Sequence, residues 1–448
     1  MRNVLKLGKV IEHLRGVWGG LTDNRTGRNI QYQVSDAAMS AFSVFFMQSP
    51  SFLEQQRDMV KGGGEANIRS LFLVGQVPSD NQIRNLLDPV SPQQVAGEFE
   101  WIYQELKQAG KIDEMRDVGG TLLIALDGVT YFESTEIHCK NCLQREDRNG
   151  KVHYYHSAIT PVIVKPGQKH VLSLMPECIE PQDGQEKQDC ERNAAKRWLA
   201  RHSLGYAPTP WTVTYLGDDL YSNQPFCSLI QRVYQQHFLC VAKPESHSAL
   251  YEWVTCLEAL NTIHTLRIRH WMGAYAEIRL YRWANEGPLR GDMDALMVNW
   301  FELVVLREDT NEQIYHNSWV TNHALTRDNI VAFADAGRAR WKVENENNNV
   351  LKNHGYHLEH NFGHGKQYLS TLLFTLNLLA FLIHTAQHLV SQPYQLLRQN
   401  LSSRQKFFGD LRALTRYMLF DSWDALFRFM LDGLKVVFPP DLFAPDTS

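Results

Sequence analysis

The sequence predicts an α/β protein built on a mixed β-sheet that is flanked by helices. Between residues 120 and 245, strand-like apolar runs and amphipathic helices follow one another as three strands, helix, strand, helix, strand. That order suits a sheet whose first three strands form an antiparallel meander and whose later strands run parallel. Helical patterns before residue 120 and after residue 323 predict an N-terminal helical domain and a helical C-terminal tail.

The predicted strands of this sheet are short apolar runs bounded by turn residues: Thr121–Phe132, Val152–Val164, His170–Met175, Trp211–Leu216 and His237–Ala242. The predicted connecting helices are Asp189–His202 and Pro225–Gln236. A later aromatic stretch predicts three strands of a separate small sheet: Ile278–Trp283, Met297–Arg307 and Gln313–Thr321.

The length of 448 residues argues for several structural units. Changes in pattern divide the chain into residues 1–119, an N-terminal helical domain; 120–245, the first part of the sheet domain; 246–322, a β-rich insertion; 323–390, the second part of the sheet domain; and 391–448, a helical C-terminal region.

Composition indicates a soluble cytoplasmic protein. The net charge is −4, so any polyanionic partner would have to meet local basic patches. The opening MRNVLKLGKV lacks the apolar segment of a signal peptide, and seven cysteines in such a chain indicate reduced thiols. The apolar run Leu369–Val390 contains Asn377 and His384, which favours a buried helix over a membrane span.

Three carboxylates occupy positions that are typical of a catalytic site. Asp127 interrupts the first strand, Asp218 follows the fourth strand, and Glu344 lies on a predicted helix, Arg338–Lys352. Asp219 stays an alternative to Asp218. Carboxylates that converge in a low-dielectric pocket repel one another unless cations lie between them, and hard oxygen ligands favour two Mg²⁺ or Mn²⁺ ions.

The Glu344 helix has an unusual composition. Arg340 lies four residues before Glu344 and so shares its face. The run Asn345–Asn349 is polar on every side and unfavourable in a helix unless its polar atoms are used. Trp341, Val343, Val350 and Leu351 supply one narrow apolar seam.

These motifs resemble those of the DDE transposases of bacterial insertion sequences, in the subgroup marked by a Tyr-Arg-Glu-Lys signature. The resemblance rests on Asp127 in LDGV, Asp218 and Tyr221 in GDDLY, and RARWKVE with a downstream lysine, and it covers roughly residues 120–390. It implies a ribonuclease H-like catalytic domain interrupted by a β-rich insertion. It also implies that Asp127, Asp218 and Glu344 hold two Mg²⁺ (or Mn²⁺) ions for phosphodiester hydrolysis and strand transfer.

The signature is incomplete in this chain. Gly337 stands where the signature has Tyr, and Lys352 lies eight rather than seven residues after Glu344. One extra residue turns Lys352 by about 80° on a regular helix, which a local bulge would correct.

The resemblance implies further DNA-binding residues: Arg340, Lys352, Arg338, Tyr221 and Trp319. For Trp319, which would stack on a displaced base, the alternative is packing inside the small sheet. Arg84 joins this set because Pro78–Val90 could be the second helix of a helix-turn-helix, although any short amphipathic helix has that pattern.

The implied partner is double-stranded DNA, both transposon terminal repeats and target, bound by a homodimer without a membrane partner. The expected location is a bacterial cytoplasm, with nucleoid association when DNA is bound. Two alternatives stay open: a catalytically inactive, domesticated DNA-binding relative, and a metal-dependent nuclease without strand transfer.

Two smaller patterns are ambiguous. Cys139 and Cys142 form a lone C-x-x-C near His138, His153 and His156, which suits zinc, redox chemistry or a reduced hairpin without a ligand. Glu191, Lys196 and Arg197 are expected on a solvated helix face.

Overall fold

A nine-stranded mixed β-sheet forms the centre of the protein. The computed structural model describes residues 5–26, 30–55, 64–181 and 190–443. In this part of the chain the strands of the large sheet lie side by side in the order 264–271, 276–288, 297–307, 313–321, 237–241, 213–217, 122–125, 162–164 and 172–173. Helices cover the sheet, and the mixed α/β class predicted from the sequence is confirmed.

The five strands at one end of this sheet follow the predicted order. They are β1 (Leu122–Ala125), β5 (Val162–Val164), β6 (Leu172–Ser173), β8 (Val213–Gly217) and β9 (His237–Val241). β1 pairs antiparallel with β5, which pairs antiparallel with β6, while β8 pairs parallel with both β1 and β9. The predicted meander followed by parallel strands is therefore present.

The long first and second predicted strands are each broken in two. After β1 the chain turns at Asp127 and enters β2 (Gly128–Ser134) of a second, four-stranded sheet. The other strands of that sheet are β3 (Leu143–Glu146), β4 (Val152–Ile159) and β7 (Glu177–Ile179). The break matters because it places Asp127, which is half-buried, between the two sheets.

The β-rich insertion does not form a separate sheet, and that prediction is wrong. Its strands are β10 (His264–Trp271), β11 (Ala276–Pro288), β12 (Met297–Arg307) and β13 (Gln313–Thr321). The bounds of β12 and β13 match the prediction, whereas β10 was missed. β13 pairs antiparallel with β9 through Val320 and Cys240, so the insertion extends the central sheet.

The helices lie mainly before β1 and after β13. Those with defined bounds are α1 (Leu7–Trp18), α2 (Val34–Phe46), α3 (Gly64–Phe72), α4 (Asp80–Leu87), α5 (Ala96–Gln108), α6 (Glu191–Tyr206), α7 (Gln224–Ser228), α8 (Ser248–Ala259), α9 (Ile330–Arg338), α10 (Asn349–Asn353), α11 (Leu369–Val390), α12 (Gln392–Asn400), α13 (Arg404–Tyr417) and α14 (Trp423–Gly433). Among the described helices, α11 is long and apolar enough to cross a bilayer, but 94% of its most apolar window is buried inside the protein.

The N-terminal and C-terminal helices share one hydrophobic core with the sheet. α2 is buried along its whole length and packs against α11. Asn67 of α3 is fully buried and joins the two ends of the chain. Its amide nitrogen donates to the carbonyls of Thr415 (2.7 Å) and Met418 (2.6 Å), and its oxygen accepts from the Phe420 N–H (2.9 Å).

We expect Asn67→Ala to lower the free energy of unfolding by roughly 2–4 kcal/mol, because it leaves three backbone groups in the core without their hydrogen-bond partner. Urea unfolding followed by circular dichroism measures this change. Asn81→Ala, at an exposed position of α4, serves as the matched control and should change stability by less than about 0.5 kcal/mol. Equal effects of the two substitutions would contradict the shared core.

Candidate active site at the sheet edge

Asp127 and Asp218 leave neighbouring parallel strands at the same edge of the sheet. Ala125 of β1 pairs with Leu216 of β8, and the Leu126 N–H donates to the Leu216 carbonyl at 2.9 Å. Asp127 follows directly, and Asp218 follows the end of β8. Since the carboxyl ends of parallel strands face the same crevice, both carboxylates open onto it.

Glu344 reaches this edge from a π-helical turn, Val343–Asn348, which follows α9 and a short 3₁₀ turn. Two polar side chains of the asparagine run form hydrogen bonds, as the composition of this helix predicts. Asn347 accepts a hydrogen bond from the Ser173 hydroxyl at 2.5 Å, and Asn348 accepts one from the Thr160 hydroxyl at 3.1 Å. The Thr160 N–H in turn donates to the Asp127 carbonyl at 2.9 Å, so the turn is tied to the backbone of the first aspartate.

Arg340 connects two of the three carboxylates. One guanidinium nitrogen, Nη2, lies 3.1 Å from Glu344 Oε1, and the other, Nη1, lies 3.9 Å from Asp127 Oδ1. The Arg340 side chain is 10% exposed and that of Glu344 is 41% exposed. Nε and Nη1 of Arg340 are buried without a hydrogen-bond acceptor among the described residues.

Asp127 lies in an environment that disfavours its charge. Burial raises the pKa of Asp127 to about 7; the Arg340 guanidinium opposes this rise, and the carboxylates of Glu344, Glu191 and Asp218 add to it. These contributions require the four acidic groups to lie close enough to sense one another. A carboxyl group with a strongly perturbed pKa in a crevice is a candidate functional group.

Glu191 is an acidic member of this site that the sequence analysis missed. It was expected on a solvated face, but it is the first residue of α6 and its carboxylate lies against the backbone of Gly128. A side chain at Gly128 would overlap this carboxylate. Burial and the Asp218 carboxylate raise the pKa of Glu191. No local sequence signal marks the position, because the contact depends on how α6 packs beside β2.

Asp219 has a different environment from Asp218. Its carboxylate accepts hydrogen bonds from the Lys243 N–H (2.8 Å) and the Ser246 hydroxyl (2.6 Å), and it lies 3.4 Å from His247 Nε2. Asp219 therefore holds the loop after β9. Asp218 is instead the residue that interacts electrostatically with Asp127 and Glu191.

The oxygen atoms of the three predicted carboxylates are not drawn into one tight cluster. In the described part of the chain, the set of ligand atoms that all lie within 4.8 Å of one another belongs to Cys139, Cys142, His156 and His364 instead. The acidic site is a more open group, with Arg340 between Asp127 and Glu344.

Two aromatic residues expected at DNA are buried. Trp319 is 1% exposed and stacks on Phe301 with ring centroids 5.1 Å apart. It therefore packs inside the sheet, which was the alternative to stacking on a displaced base. A Cβ on Gly337 would lie 2.7 Å from Trp319 Nε1, so this tryptophan fills the space where the signature has Tyr. Tyr221 is fully buried beneath Gly217; burial raises its pKa, and the Glu191, Asp218 and Asp127 carboxylates add to this rise. Neither ring is open to a base in this conformation.

Of two basic residues expected to bind DNA phosphates, one is paired within the protein and the other is exposed. Lys352 forms an ion pair with Glu359 at 2.7 Å. Its spacing from Glu344 is one residue longer than in the signature, and the π-helical turn Val343–Asn348 is a helical irregularity that can accommodate one extra residue. Arg338 is exposed and lies 5.0 Å over the Tyr315 ring.

Arg84 is engaged within the protein. Its Nε donates to the Phe362 carbonyl at 2.9 Å, and its Nη1 lies 3.1 Å from Asp80. This arginine therefore fixes α4 against the loop before α11, and two of its guanidinium nitrogens already have partners within the protein.

Trp341 differs from its expected place in the apolar seam. Its side chain is 53% exposed, directly after Arg340 and three residues before Glu344. Val343 and Leu351, by contrast, are fully buried as predicted. The indole is therefore open to solvent and to any partner that approaches this turn.

In comparisons of the sequence with known proteins, no protein-family model and no curated protein gives a match. The assignment of a function therefore depends on the geometry of the site.

We expect Asp127→Asn to stabilise the fold at high pH in the absence of divalent ions. The folded protein keeps a proton on Asp127 up to about pH 7, whereas the unfolded chain loses it at lower pH, so stability falls as pH rises between these values. The substitution removes this effect and should raise the free energy of unfolding by roughly 2–4 kcal/mol at about pH 8, with little gain at about pH 4.

Urea unfolding at a series of pH values measures this difference. Asp328→Asn, at an exposed carboxylate after β13, is the control and should show no pH-dependent gain. A gain for Asp127→Asn that is constant across the pH range would contradict the raised pKa.

Proposed function

We propose that this protein is a DDE-type DNA transposase that hydrolyses phosphodiester bonds and transfers DNA strands with two Mg²⁺ or Mn²⁺ ions. The observation that carries the proposal is the approach of Asp218 and Glu344 to Asp127 at one sheet edge, with Arg340 between Asp127 and Glu344. A half-buried group of acids with one cation is unfavourable by itself, and bound metal ions relieve this imbalance of charge in many active sites.

The strand order supports a ribonuclease H-like catalytic domain. In order of appearance, the first, second and third strands (β1, β5, β6) form an antiparallel meander, and the fourth and fifth (β8, β9) run parallel to the first. This is the arrangement that the resemblance implies. The β-rich stretch also lies between β9 and the Glu344 turn, as expected for the insertion of such enzymes.

The donor set suits hard divalent cations. Asp127, Asp218 and Glu344 offer only carboxylate oxygens, which are the ligands that Mg²⁺ and Mn²⁺ prefer. Two such ions would supply charge neutralisation and a clamp on the attacking and leaving oxygens of an in-line displacement. Glu344 is 41% exposed, so its side chain has room to turn from Arg340 toward the two aspartates.

Arg340 is suited to hold a DNA phosphate. Its Nη1 is a buried donor without a hydrogen-bond acceptor among the described residues and lies 3.9 Å from Asp127 Oδ1, and a guanidinium binds phosphate oxygens through two parallel hydrogen bonds, for example from Nη1 and Nη2. Release of Glu344 to the metal site would free Nη2 as well. In this scheme Arg340 orients the scissile phosphate while water attacks phosphorus and the P–O3′ bond breaks, which leaves a 3′-hydroxyl on one side and a 5′-phosphate on the other. The freed 3′-hydroxyl later attacks a phosphorus of the target DNA and displaces the target's 3′-oxygen.

The proposed partner is double-stranded DNA, as terminal repeats and as target, and cutting of two transposon ends would require a homodimer. The presence of all three carboxylates favours an active enzyme over an inactive DNA-binding relative. Arg338 and Trp341, which are exposed on either side of Arg340 in the sequence, are also open to DNA.

We predict that the purified protein nicks a supercoiled plasmid carrying its own gene with the natural flanking DNA, provided that Mg²⁺ or Mn²⁺ is added. Asp127→Asn, Asp218→Asn and Glu344→Gln should each reduce nicking at least about 100-fold, because each removes a metal ligand. Gel analysis of nicked, linear and joined products measures the reaction. Mobility shifts with a flank fragment show that the variants still bind DNA.

Asp328→Asn is the matched control for this assay and should nick at the wild-type rate. Binding without nicking by the wild-type protein would contradict the proposal in favour of an inactive DNA-binding relative. Nicking without any joined product would favour a nuclease. Normal nicking by any of the three carboxylate variants would show that the site is misassigned.

Trp341→Ala should weaken cleavage of the flank DNA by about 5–100-fold, because stacking of one base on an aromatic ring contributes about 1–3 kcal/mol. The measurement is the rate of nicking against DNA concentration. Trp271→Ala is the control, since Trp271 is 60% exposed on edge strand β10. Equal loss in both variants, or no loss in Trp341→Ala, would contradict a contact of Trp341 with DNA.

A further inference from the structure

A second group of potential metal ligands lies away from the carboxylates. Cys139 and Cys142, in the turn before β3, meet His156 of β4 and His364 of the loop before α11. His156 and His364 are 208 residues apart in sequence, yet their Nε2 atoms are 3.2 Å apart. The sequence pattern placed His156 near this C-x-x-C but gave no sign of His364, which reaches it only through the tertiary fold.

Five of the six separations among the four ligand atoms fit a tetrahedron around a single ion, and the sixth, between Cys139 and His364, is within 4.8 Å. Cys139 Sγ and Cys142 Sγ are 3.9 Å apart. The measured sulfur–nitrogen distances are 3.6 Å for Cys139 and 3.4 Å for Cys142 to His156, and 3.4 Å for Cys142 to His364. Tetrahedral Zn²⁺, with bonds of about 2.3 Å to sulfur and 2.0 Å to nitrogen, requires separations of about 3.8, 3.5 and 3.3 Å for the S–S, S–N and N–N pairs.

We propose that Cys139, Cys142, His156 and His364 bind one structural Zn²⁺ ion. Two thiolates and two neutral imidazoles form a common structural zinc set, and their charge balances that of the ion, as a buried site requires. Cys142, His156 and His364 are buried and Cys139 is half-buried, so the four ligands close the coordination sphere and leave no open position for catalysis.

Neighbouring hydrogen bonds orient the ligands for this role. His364 Nδ1 lies 3.1 Å from the Gly365 carbonyl, which accepts its N–H and leaves Nε2 free to bind the ion. The Cys139 N–H donates to Cys142 Sγ at 3.4 Å, a contact that stabilises a thiolate. The rings of Phe132 and His364 lie 4.5 Å apart and shield the site on one side.

Thiol–imidazole hydrogen bonds alone account for the cluster less well. They would satisfy individual sulfur–nitrogen pairs, and an N–H···N hydrogen bond would explain the 3.2 Å between the two Nε2 atoms, but separate pairs do not require all four ligand atoms to lie within 4.8 Å of one another. A common central cation explains both features. A disulfide between Cys139 and Cys142 is the other possible state of this dithiol, and it would remove both sulfur ligands.

The ion would join the four-stranded sheet, which contains β4, to the segment that leads into α11. His156 belongs to β4, while His364 lies five residues before Leu369, where α11 begins. Asn141 donates to the Gln367 carbonyl at 2.9 Å across the same junction, and Asp88 accepts from the Lys366 and Gln367 N–H groups at 3.0 and 2.9 Å. Zinc would thus fix the chain that connects the Glu344 turn to the core helix.

The test is the metal content of the full-length protein, purified without a metal-affinity step and measured by inductively coupled plasma mass spectrometry. We expect about one zinc per chain in the wild type and in Cys256→Ser, which changes an exposed cysteine outside the cluster. Cys142→Ser and His364→Ala should lose zinc at least about tenfold. His360→Ala, in the same loop, should keep it.

Two further measurements separate ligand loss from misfolding. His364→Cys should retain zinc, since three cysteines and one histidine also form a structural zinc set. Cobalt titrated into chelator-treated wild-type protein should give the visible absorption of a tetrahedral thiolate site. The proposal is overturned if the wild type holds no zinc and gives no such spectrum, if His364→Ala keeps full zinc, or if intact mass under non-reducing conditions shows a Cys139–Cys142 disulfide.

Discussion

The guanidinium of Arg340 is the interaction on which the proposed active site depends. Four acidic side chains, Asp127, Asp218, Glu344 and Glu191, influence one another at a single edge of the sheet, and Arg340 lies between two of them. One positive charge does not balance four carboxylates, and burial keeps Asp127 partly protonated near neutral pH. A site with this imbalance favours added cations, which is the physical basis for proposing two divalent metal ions.

The rest of the fold holds these groups in place through polar contacts rather than through the strands alone. Asn347 and Asn348 accept hydrogen bonds from hydroxyl groups of β6 and of the β4–β5 junction. The junction residue, Thr160, also donates its N–H to the Asp127 carbonyl, which links the Glu344 turn to the first aspartate. The central sheet continues through β13 and β12 into the insertion, so Glu344 follows a rigid β-region. At the far end of the same segment, the proposed zinc site would anchor His364 before α11.

The sequence predicted what depends on local pattern. Asp127 and Asp218 were placed correctly at strand ends because apolar runs mark the strands, and the asparagine run predicted that its polar atoms are used. Features that depend on packing between distant segments were missed or misplaced: the union of the two predicted sheets, the approach of Glu191 to Gly128, and the four-ligand Cys/His cluster. Trp319 is buried because Gly337, which replaces the signature tyrosine, leaves room for its indole, and the sequence could not exclude this packing.

The most direct test of the central claim is anomalous diffraction from crystals of the protein soaked in Mn²⁺, since it requires no knowledge of the DNA substrate. The account predicts two manganese peaks about 3.5–4 Å apart, bounded by Asp127, Asp218 and Glu344, with Glu344 turned away from Arg340. Crystals of Asp127→Asn should lose at least one peak. Absence of manganese from this sheet edge at millimolar concentrations, with the three carboxylates ordered, would contradict the proposed metal site and the chemistry built on it.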